Sequence, residues 1–462
     1  MSRYNLRSRR TLQPEPEEGL TPAREYKPPP GRDASASAGL AVETTPKERE
    51  SSDTLLSIGD GLLFLVLLTG RLLNAAVVQT AHVPDEYWQS LEVAHNMVFG
   101  YGYLTWEWQA GLRGFTYPLV FASLYKLLAV LRLDSVTLLV FLPRLLQGLF
   151  TALCDLHLYK VTRKLHGKEV AQWTLLCQLL SWFMFYCGPR TLTNSMETVL
   201  TTAALYYYPW PQEPSTRVSS KQVVIYLSLA ALSCLVRPTA AIMWLPLCGL
   251  HLVNCRNKLH TFTLHFIPVS GPKAGISPAP LQLSLTVVLF PGLWLQWLTP
   301  WLRVSTVALL LVTNLPLALY TSLVHQRGTV DVMSYLSQQA DRQGQHMSVL
   351  FLMPCHSTPF YSHVHHNVSM RFLECPPDLE RRPGYMDEAD IFYQDPPAWL
   401  KTNYGPDVPL PTHVVMFNTL HQDVEDFLTE KKFSKCAEYF HTHIPLERRI
   451  GNYVQVYCLQ AT

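Results

Sequence analysis

The chain has 462 residues, of which 48% are hydrophobic and only 16% are charged, and its formal net charge is +2. Soluble domains carry roughly 25% charged residues. The apolar residues of this chain are gathered into long runs, which is typical of a protein that crosses a membrane several times. A net charge so close to zero favours no nucleic-acid partner. We therefore predict a mainly α-helical transmembrane bundle.

Composition divides the chain into three regions. Residues 1–53 mix charges of both signs with Pro, Ser and Gly, and we expect a disordered cytosolic tail there. Residues 54–323 carry the apolar runs of the bundle, in which segment 266–301 is atypical because it is rich in Pro and Ser. Residues 324–462 are predicted to form a small luminal α/β domain, since short apolar strands alternate with helical stretches.

Two adjacent carboxylates, Asp85 and Glu86, lie in the loop at residues 80–115, directly after the first apolar run. Acids just outside a span are costly unless water, a partner or a substrate takes them up. The aromatic residues around them suit a membrane interface. We interpret this loop as a luminal active site facing water. The alternative is a pair of solvated acids that cap an interfacial helix.

Three other residues could bind substrate at such a site. His82 could orient one of the acids, and Trp88 could stack on a sugar ring. Asn194 belongs to a polar patch inside an apolar run and could contact the acceptor. Each has a structural alternative: a packed histidine, a membrane-interface tryptophan, and polar contacts between helices.

Arg190 and Arg237 lie in or beside apolar runs. An arginine at this depth must pair with an acid, a carbonyl or a phosphate. Asp155 and Glu197 are possible partners within the chain. Structural ion pairs and contacts with a substrate phosphate therefore both remain open at this point.

The C-terminal region carries cysteines that could form disulfides in an oxidising lumen. These are Cys355, Cys375, Cys436 and Cys458. The same region holds a histidine cluster, but no acid or cysteine pattern accompanies it, and we predict no metal. Its members are His356, His363, His365 and His366. Asn367 begins an Asn-Val-Ser sequon, which predicts N-glycosylation if the residue faces the lumen.

Several stretches together resemble the multi-spanning glycosyltransferase family 22. They are HVPDEYWQSLEVAHNMVFGYGYLTWEW at residues 82–108, GPRTLTNSMETVLT at 188–201, VRPTA at 236–240 and MPCHSTPFYSHVH at 353–365. The resemblance implies a GT-C-like enzyme of the endoplasmic reticulum membrane. It also implies transfer of the third mannose, in α-1,2 linkage, from dolichyl-phosphate mannose to a GPI glycolipid precursor.

The resemblance gives the candidate residues their roles. A β-linked donor that yields an α-linked product implies inversion in one displacement, and hence one carboxylate base. Asp85 is the first candidate for that base and Glu86 the second, with the other carboxylate as an orienter, while Arg190 and Arg237 would contact the donor phosphate. The donor is already activated, and we expect no cofactor.

One departure from the family keeps two alternatives open. Members carry an HKE-x-R-F motif on a luminal loop, and this chain lacks it; His166-Gly167-Lys168-Glu169 is not that motif. The chain could therefore be a catalytically inactive shortened isoform. A lipid or solute transporter is the other alternative, although a transporter should show two related halves, which this sequence does not.

Overall fold

The computed structural model describes residues 46–210, 219–254, 291–445 and 447–460, with side chains described from residue 59 onward. It is mostly helical, and a small sheet forms near the C-terminus. This architecture confirms the predicted fold class. Residues 1–45 of the expected tail and residues 266–290 of the atypical segment lie outside the described residues.

The described helices of the bundle lie between residues 46 and 323, and residues 211–218 and 255–290 are outside the described ranges. In chain order they are α1 (Pro46–Val77), a π-helical turn (Tyr87–Leu91), α2 (Glu92–Phe99), α3 (Trp106–Gln109), α4 (Thr116–Leu131), α5 (Val136–His166), α6 (Lys168–Leu180), α7 (Trp182–Cys187), α8 (Thr193–Tyr207), α9 (Ser220–Val236), α10 (Ala241–Asn254) and α11 (Pro300–Leu323). In the described part of the chain, three helical stretches are long and apolar enough to cross a membrane: Gly59–Val77, Val136–His166 and Pro300–His346.

Helices α1 and α5 run antiparallel and define the two faces of the bundle. Near one face, Arg163 at the end of α5 pairs with Asp60 at 3.2 Å. Near the other face, Arg144 Nη1 donates to the carbonyl of Val78, just beyond α1, at 2.8 Å. With 31 residues, α5 is about 46 Å long, which exceeds the roughly 30 Å of a bilayer's hydrocarbon core.

A buried ion pair joins α1 and α5 in the middle of the bundle. Arg71 Nε donates to Asp155 Oδ2 at 2.6 Å, and Gln178 Nε2 donates to the same carboxylate at 3.2 Å. The helices approach closely at Gly148, where a Cβ would lie 3.2 Å from the Arg71 carbonyl oxygen. Asp155 thus pairs with Arg71, whereas the sequence analysis offered it as a partner for Arg190 or Arg237.

Helix α4 lies along one face of the bundle. Its first turn follows Phe115, which packs on Trp108 in the loop with ring centroids 5.0 Å apart. Its last turn is followed by Asp134, which lies 3.7 Å from His365 of the C-terminal region. Because both ends of this 16-residue helix lie on the side of the C-terminal domain, α4 does not cross to the other face.

The C-terminal domain is built on a five-stranded sheet with strand order β2-β1-β3-β5-β4. Its elements are α12 (Gly328–Gln343), β1 (Ser348–Leu352), α13 (Tyr361–Val364), β2 (Ser369–Phe372), α14 (Glu388–Gln394), α15 (Pro396–Asn403), β3 (His413–Phe417), α16 (His421–Glu430), β4 (Phe433–Phe440) and β5 (Tyr453–Leu459). Strand β1 pairs in parallel with β2 and β3, whereas β5 pairs antiparallel with β3 and β4.

Both faces of this sheet are covered, and one of them packs against the loop that holds the acids. Side chains alternate along β1: Phe351 belongs to a hydrophobic cluster that also contains Trp88 and Leu91, whereas Leu350 packs with Phe392 on the opposite face. This alternation follows from the two-residue period of a strand. The sheet is therefore fixed against the loop by a continuous apolar core.

Two disulfides close the C-terminal domain. They join Cys355 to Cys375 and Cys436 to Cys458, with Cα atoms 6.1 and 5.9 Å apart. All four cysteines that the sequence assigned to a possible oxidising compartment are therefore paired. Disulfides persist in such compartments and are rare in the reducing cytosol.

Candidate active site

The two adjacent carboxylates have opposite environments. Glu86 is 1% exposed, whereas Asp85 is exposed to solvent at the rim of the loop. The chain enters a π-helical turn immediately after them, and adjacent positions of a helical turn point in different directions. The sequence could not distinguish their roles, but the fold separates them.

Glu86 is held by a fully buried arginine. Arg190 Nη1 donates to Glu86 Oε2 at 2.6 Å and to the Thr80 carbonyl at 2.6 Å. Arg190 Nη2 donates to Thr80 Oγ1 at 2.9 Å, and its Nε donates to the Tyr186 carbonyl at 2.9 Å. All three guanidinium nitrogens therefore bond to the protein. This geometry gives Arg190 a structural role, and its contact with a donor phosphate stays a prediction.

A second arginine completes the enclosure of Glu86. Arg144 Nη2 lies 3.7 Å from Glu86 Oε1 and 3.5 Å from the Tyr87 hydroxyl. Thr191 Oγ1 donates to the Glu86 carbonyl at 2.7 Å. The Glu86 carboxylate is thus neutralised by two cations and cannot reach a substrate from this position. Of the two candidates for the base, the geometry favours the exposed one.

Asp85 lies among charged groups of both signs. Burial on its protein side raises the pKa of this carboxyl above its usual value, and the negative charge of Glu107 adds to the rise. The positive charges of Arg113 and Arg237 act in the opposite direction. A carboxylate with a raised pKa is a stronger base at neutral pH than an ordinary aspartate. Asp85 is therefore accessible, basic and close to cations.

The cations near Asp85 come from different parts of the chain. Arg113 Nη2 pairs with Glu107 Oε1 at 2.9 Å within the same loop. Arg237, between α9 and α10, pairs with Glu197 Oε2 of α8 at 3.2 Å. Both guanidinium groups are partly exposed, at 31% and 18% of the side chain, and so can accept a further anionic partner. The pairing with Glu197 was one of the alternatives left open by the sequence.

A polar row leads from Asp85 toward Asn194. Gln89 follows Asp85 by one helical turn, and its Oε1 lies 3.5 Å from Thr193 Oγ1. The same hydroxyl lies 3.4 Å from Asn194 Oδ1. Asn194 is exposed, and its predicted acceptor contact stays a prediction. The row gives the site a polar wall beside the carboxylate.

Trp88 and His82 are occupied by packing. Trp88 is 4% exposed, donates from Nε1 to the Thr358 carbonyl at 3.1 Å, and packs on Phe360 at 5.4 Å between ring centroids. His82 lies edge-on against Tyr186 at 5.0 Å. Burial and the charge of Arg190 lower the pKa of His82 to about 4, and the ring is neutral at pH 7. Their contacts with substrate stay predictions.

The loop is attached to the C-terminal domain through a buried carboxylate. Glu92 accepts hydrogen bonds from Phe360 N at 2.8 Å, from Ser362 N at 3.1 Å and from Ser362 Oγ at 2.5 Å. Burial raises the pKa of Glu92 to about 7, against these hydrogen bonds, which lower it. The sequence analysis assigned no role to Glu92, although its position on the inner face of a short helix was a usable signal.

The C-terminal histidines are dispersed among different contacts. His365 Nδ1 lies 3.0 Å from His95 Nε2, and His363 Nδ1 lies 2.8 Å from Ser362 Oγ. His366 pairs with Asp341 at 3.0 Å. They do not converge on a common point that would suit a metal ion.

One compact group in the described chain has atoms close enough to hold a metal: Cys355, His356 and Cys375, whose ligand atoms lie within 4.8 Å of one another. Both sulfurs belong to the same disulfide. Since a metal is ligated by thiolates, this disulfide removes two of the three ligands.

Arg113 and Glu107 are the site residues that sequence reasoning missed. Both lie in the loop at residues 80–115, but neither lies in an apolar run, where a charged residue would be unusual enough to indicate a function. Only the shared loop could have indicated them.

We expect substitutions at the adjacent acids to affect stability very differently. Glu86→Ala leaves Arg190 buried without its counter-charge, which costs roughly 3–5 kcal/mol. Asp85→Ala removes an exposed carboxylate and should change stability by no more than about 0.5 kcal/mol. Thermal unfolding of the purified chain in detergent measures both. Equal loss in the two variants would contradict the assigned environments.

The burial of His95, beside His365, should make the protein sensitive to acid. Burial lowers the pKa of His95 from 6.5 to about 3, so the unfolded state binds this proton more tightly than the folded state. The stability that neutral His95 contributes to the folded state is complete above pH 6.5 and is lost as the pH falls toward 3. At pH 5 the loss is about 2 kcal/mol for this residue.

His95→Gln should therefore lose less stability than the native chain between pH 7 and pH 5. The free energy of unfolding, measured by denaturant titration at each pH, gives the difference directly. His346→Gln, at an exposed position, is the matched control and should follow the native curve. If the His95 variant also follows that curve, the protonation of His95 does not limit acid stability.

Comparison with known proteins identifies relatives of this chain. The Alg9-like mannosyltransferase family matches residues 62–271 and 279–365. GPI alpha-1,2-mannosyltransferase 3 of Mus musculus is 42% identical over 86% of this chain and 88% of its own length. Its Homo sapiens counterpart is 40% identical over 86% of both chains.

More distant similarities extend over the same part of the chain. Mannosyltransferase APTG1 of Arabidopsis thaliana is 34% identical over 86% of this chain and 91% of its own length. Among solved structures, ArnT from Cupriavidus metallidurans bound to undecaprenyl phosphate has a TM-score of 0.47 and 12% identity, covering 87% of this chain and 98% of that one. By the family match and the extent of these identities, the chain belongs to the Alg9-like mannosyltransferase family.

Proposed function

We propose that this protein is an α-1,2-mannosyltransferase that adds the third mannose to a GPI-anchor precursor. Its family membership and the names of its relatives support the reaction. The observation that carries the mechanism is the separation of the two acids: Glu86 is sealed by Arg190, while Asp85 is exposed among cations. A lipid or solute transporter would not require an accessible base beside these cations.

The donor in this proposal is dolichyl-phosphate mannose. Asp85 accepts the proton of the attacking hydroxyl on the second mannose of the precursor. The hydroxyl oxygen bonds to C1 of the donor mannose as the bond from C1 to the phosphate oxygen breaks, and dolichyl phosphate leaves. The single displacement inverts the configuration at C1. The donor is already activated, so no cofactor and no metal are needed.

Two cations are suited to stabilise the departing phosphate. Arg237 and Arg113 each share their charge with a carboxylate and remain partly exposed near Asp85. Cations that face developing negative charge lower the barrier of such a displacement. We assign the phosphate contact to these residues and keep Arg190 as the support of Glu86. We assign the contact with the acceptor sugars to Asn194, at the end of the polar row.

The protein is a multi-pass membrane enzyme, and the endoplasmic reticulum is the compartment that fits the proposed reaction. Two disulfides in the C-terminal domain support an oxidising lumen on the side of Asp85. Asn367 is exposed on that domain, so it is accessible for N-glycosylation there. His82 and Trp88 shape the loop beneath the site.

Asp85→Asn should abolish transfer because loss of a general base costs about 10²–10⁴-fold in rate. The test expresses the chain in cells that lack the third GPI mannose and measures GPI-anchored proteins at the surface. Asp407→Asn, an exposed acid on the C-terminal domain, is the matched control and should restore them.

Three outcomes of this experiment separate the alternatives. Rescue by the native chain and the control, but not by Asp85→Asn, supports the proposed base. Rescue by all three refutes that role. If the native chain is expressed in the membrane and fails to rescue, the catalytically inactive shortened isoform is the better description.

Arg237→Gln should weaken use of the donor selectively. Loss of one charge-assisted hydrogen bond to phosphate costs about 1.5–3 kcal/mol, which raises the KM for dolichyl-phosphate mannose at least about tenfold. Microsomal transfer assays with varied donor measure this, and Arg371→Gln on the C-terminal domain is the control. An unchanged donor KM, or an equal rise for the acceptor, would count against the phosphate contact.

A further inference from the structure

A basic cavity lies at the end of α5 that is remote from Asp85. Its volume is about 400 Å³. The residues that line it are Lys160, Arg163 and Lys164 of α5, Tyr206 and Tyr207 of α8, and Gln222 of α9. Positions three and four apart share one face of a helix, and the three cations therefore face the same space. None of these lining residues is an acid.

The position of the cavity places it at the second membrane interface. Arg144, beside Glu86, marks the site face of α5, and the rise from Arg144 to Arg163 along the helix is about 28 Å. This is close to the roughly 30 Å of the hydrocarbon core. The cavity therefore lies at the depth of the phospholipid headgroups on the face opposite the candidate active site.

Two of the cations are held in place before any ligand arrives. Asp60 of α1 pairs with Lys160 at 3.3 Å and with Arg163 at 3.2 Å. The Lys160 ammonium lies 6.0 Å from the Tyr206 ring centroid, and the Arg163 guanidinium lies 5.3 Å from that of Tyr159. Cations fixed in this way lose little conformational freedom when an anion binds. Tyrosines at this depth also suit the boundary between headgroups and acyl chains.

We propose that this cavity binds the phosphate of an anionic phospholipid headgroup. Basic residues commonly flank the cytosolic ends of spans, and this orientation effect accounts for their presence. It does not account for their convergence on one partly open cavity that two tyrosines and an amide also line. Basic pockets between transmembrane helices recognise lipid headgroups by this combination of charge and depth. The inference does not depend on the proposed reaction.

The test titrates the detergent-solubilised full-length chain with dioctanoyl phosphatidic acid and follows its melting temperature. Dioctanoyl phosphatidylcholine and inorganic phosphate are the comparison probes. The anionic lipid should raise the melting temperature in a saturable way, and both other probes should do so much less. A response to phosphatidylcholine equal to that of phosphatidic acid refutes charge recognition. An equal response to inorganic phosphate refutes the lipid as the ligand.

Matched variants locate the effect. Lys164→Glu should weaken phosphatidic acid binding by at least about tenfold, whereas Gln222→Lys, which adds a cation to the cavity, should strengthen it about fivefold. Lys168→Glu makes the same charge reversal at an exposed position outside the cavity and should leave the affinity unchanged. Melting temperatures without lipid identify a variant that has lost its fold. If Lys164→Glu is such a variant, the affinity of Gln222→Lys for phosphatidic acid tests the proposal.

Equal weakening by Lys164→Glu and Lys168→Glu would mean that general surface charge, and not the cavity, attracts the lipid. No gain in affinity from Gln222→Lys would likewise contradict binding inside the cavity. Because no mannosyl transfer is measured, these results stand apart from the outcome of the Asp85 experiment.

Discussion

The arrangement of the candidate active site depends on the buried ion pair between Glu86 and Arg190. Arg190 is fully buried and distributes its donors over Glu86, both oxygens of Thr80 and the carbonyl of Tyr186. It thereby ties the end of α1, the start of the loop and the turn before α8 to one point. A buried charge is tolerated only when such partners satisfy it. The consequence for function is that Asp85 is excluded from the pair and directed toward solvent.

The loop at residues 80–115 is an ordered layer between the bundle and the C-terminal sheet. Trp88 and Glu92 both reach across to the segment from Thr358 to Ser362. Trp88 buries apolar surface at this contact. Glu92 accepts hydrogen bonds from backbone amides that would otherwise be buried without partners. The C-terminal domain therefore supports the loop from behind, while Asp85, Arg113 and Arg237 remain at its open edge. This division explains how one short loop can be both rigid and accessible.

The two faces of the bundle carry different chemistry. On one face, carboxylates alternate with partly exposed arginines, which suits a reaction that moves a proton and releases a phosphate. On the other, Lys160 and Arg163 of α5 share the carboxylate of Asp60 beside the basic cavity. The length of α5 keeps these two sets of charges about one hydrocarbon thickness apart. The same helix thus defines both the position of the site and the depth of the basic cavity.

Much of the protein could be predicted from its sequence, because the relevant signals are local. The apolar runs have the length of membrane spans, and short apolar stretches predict the buried strands β1 and β3. The Asp85-Glu86 pair is recognisable because it lies in a loop directly after a span. The stretches that resemble the family lie in continuous sequence. The internal pairing of Arg237 with Glu197 was among the possibilities that the sequence left open, because few acids are available at that depth.

Other features were decided only by tertiary structure. Asp85 and Glu86 are both strongly hydrophilic carboxylates with nearly the same sequence neighbours, so little in the local sequence distinguishes them. Their different environments result from Arg190, which pairs with Glu86 from 104 residues away. For the same reason, the sequence does not show that Trp88 packs on the C-terminal domain, that both ends of α4 lie on one face, or that Arg113 lies near Asp85. Composition and periodicity determine which segments are buried, whereas the partner of each buried charge depends on which distant segments the fold brings together.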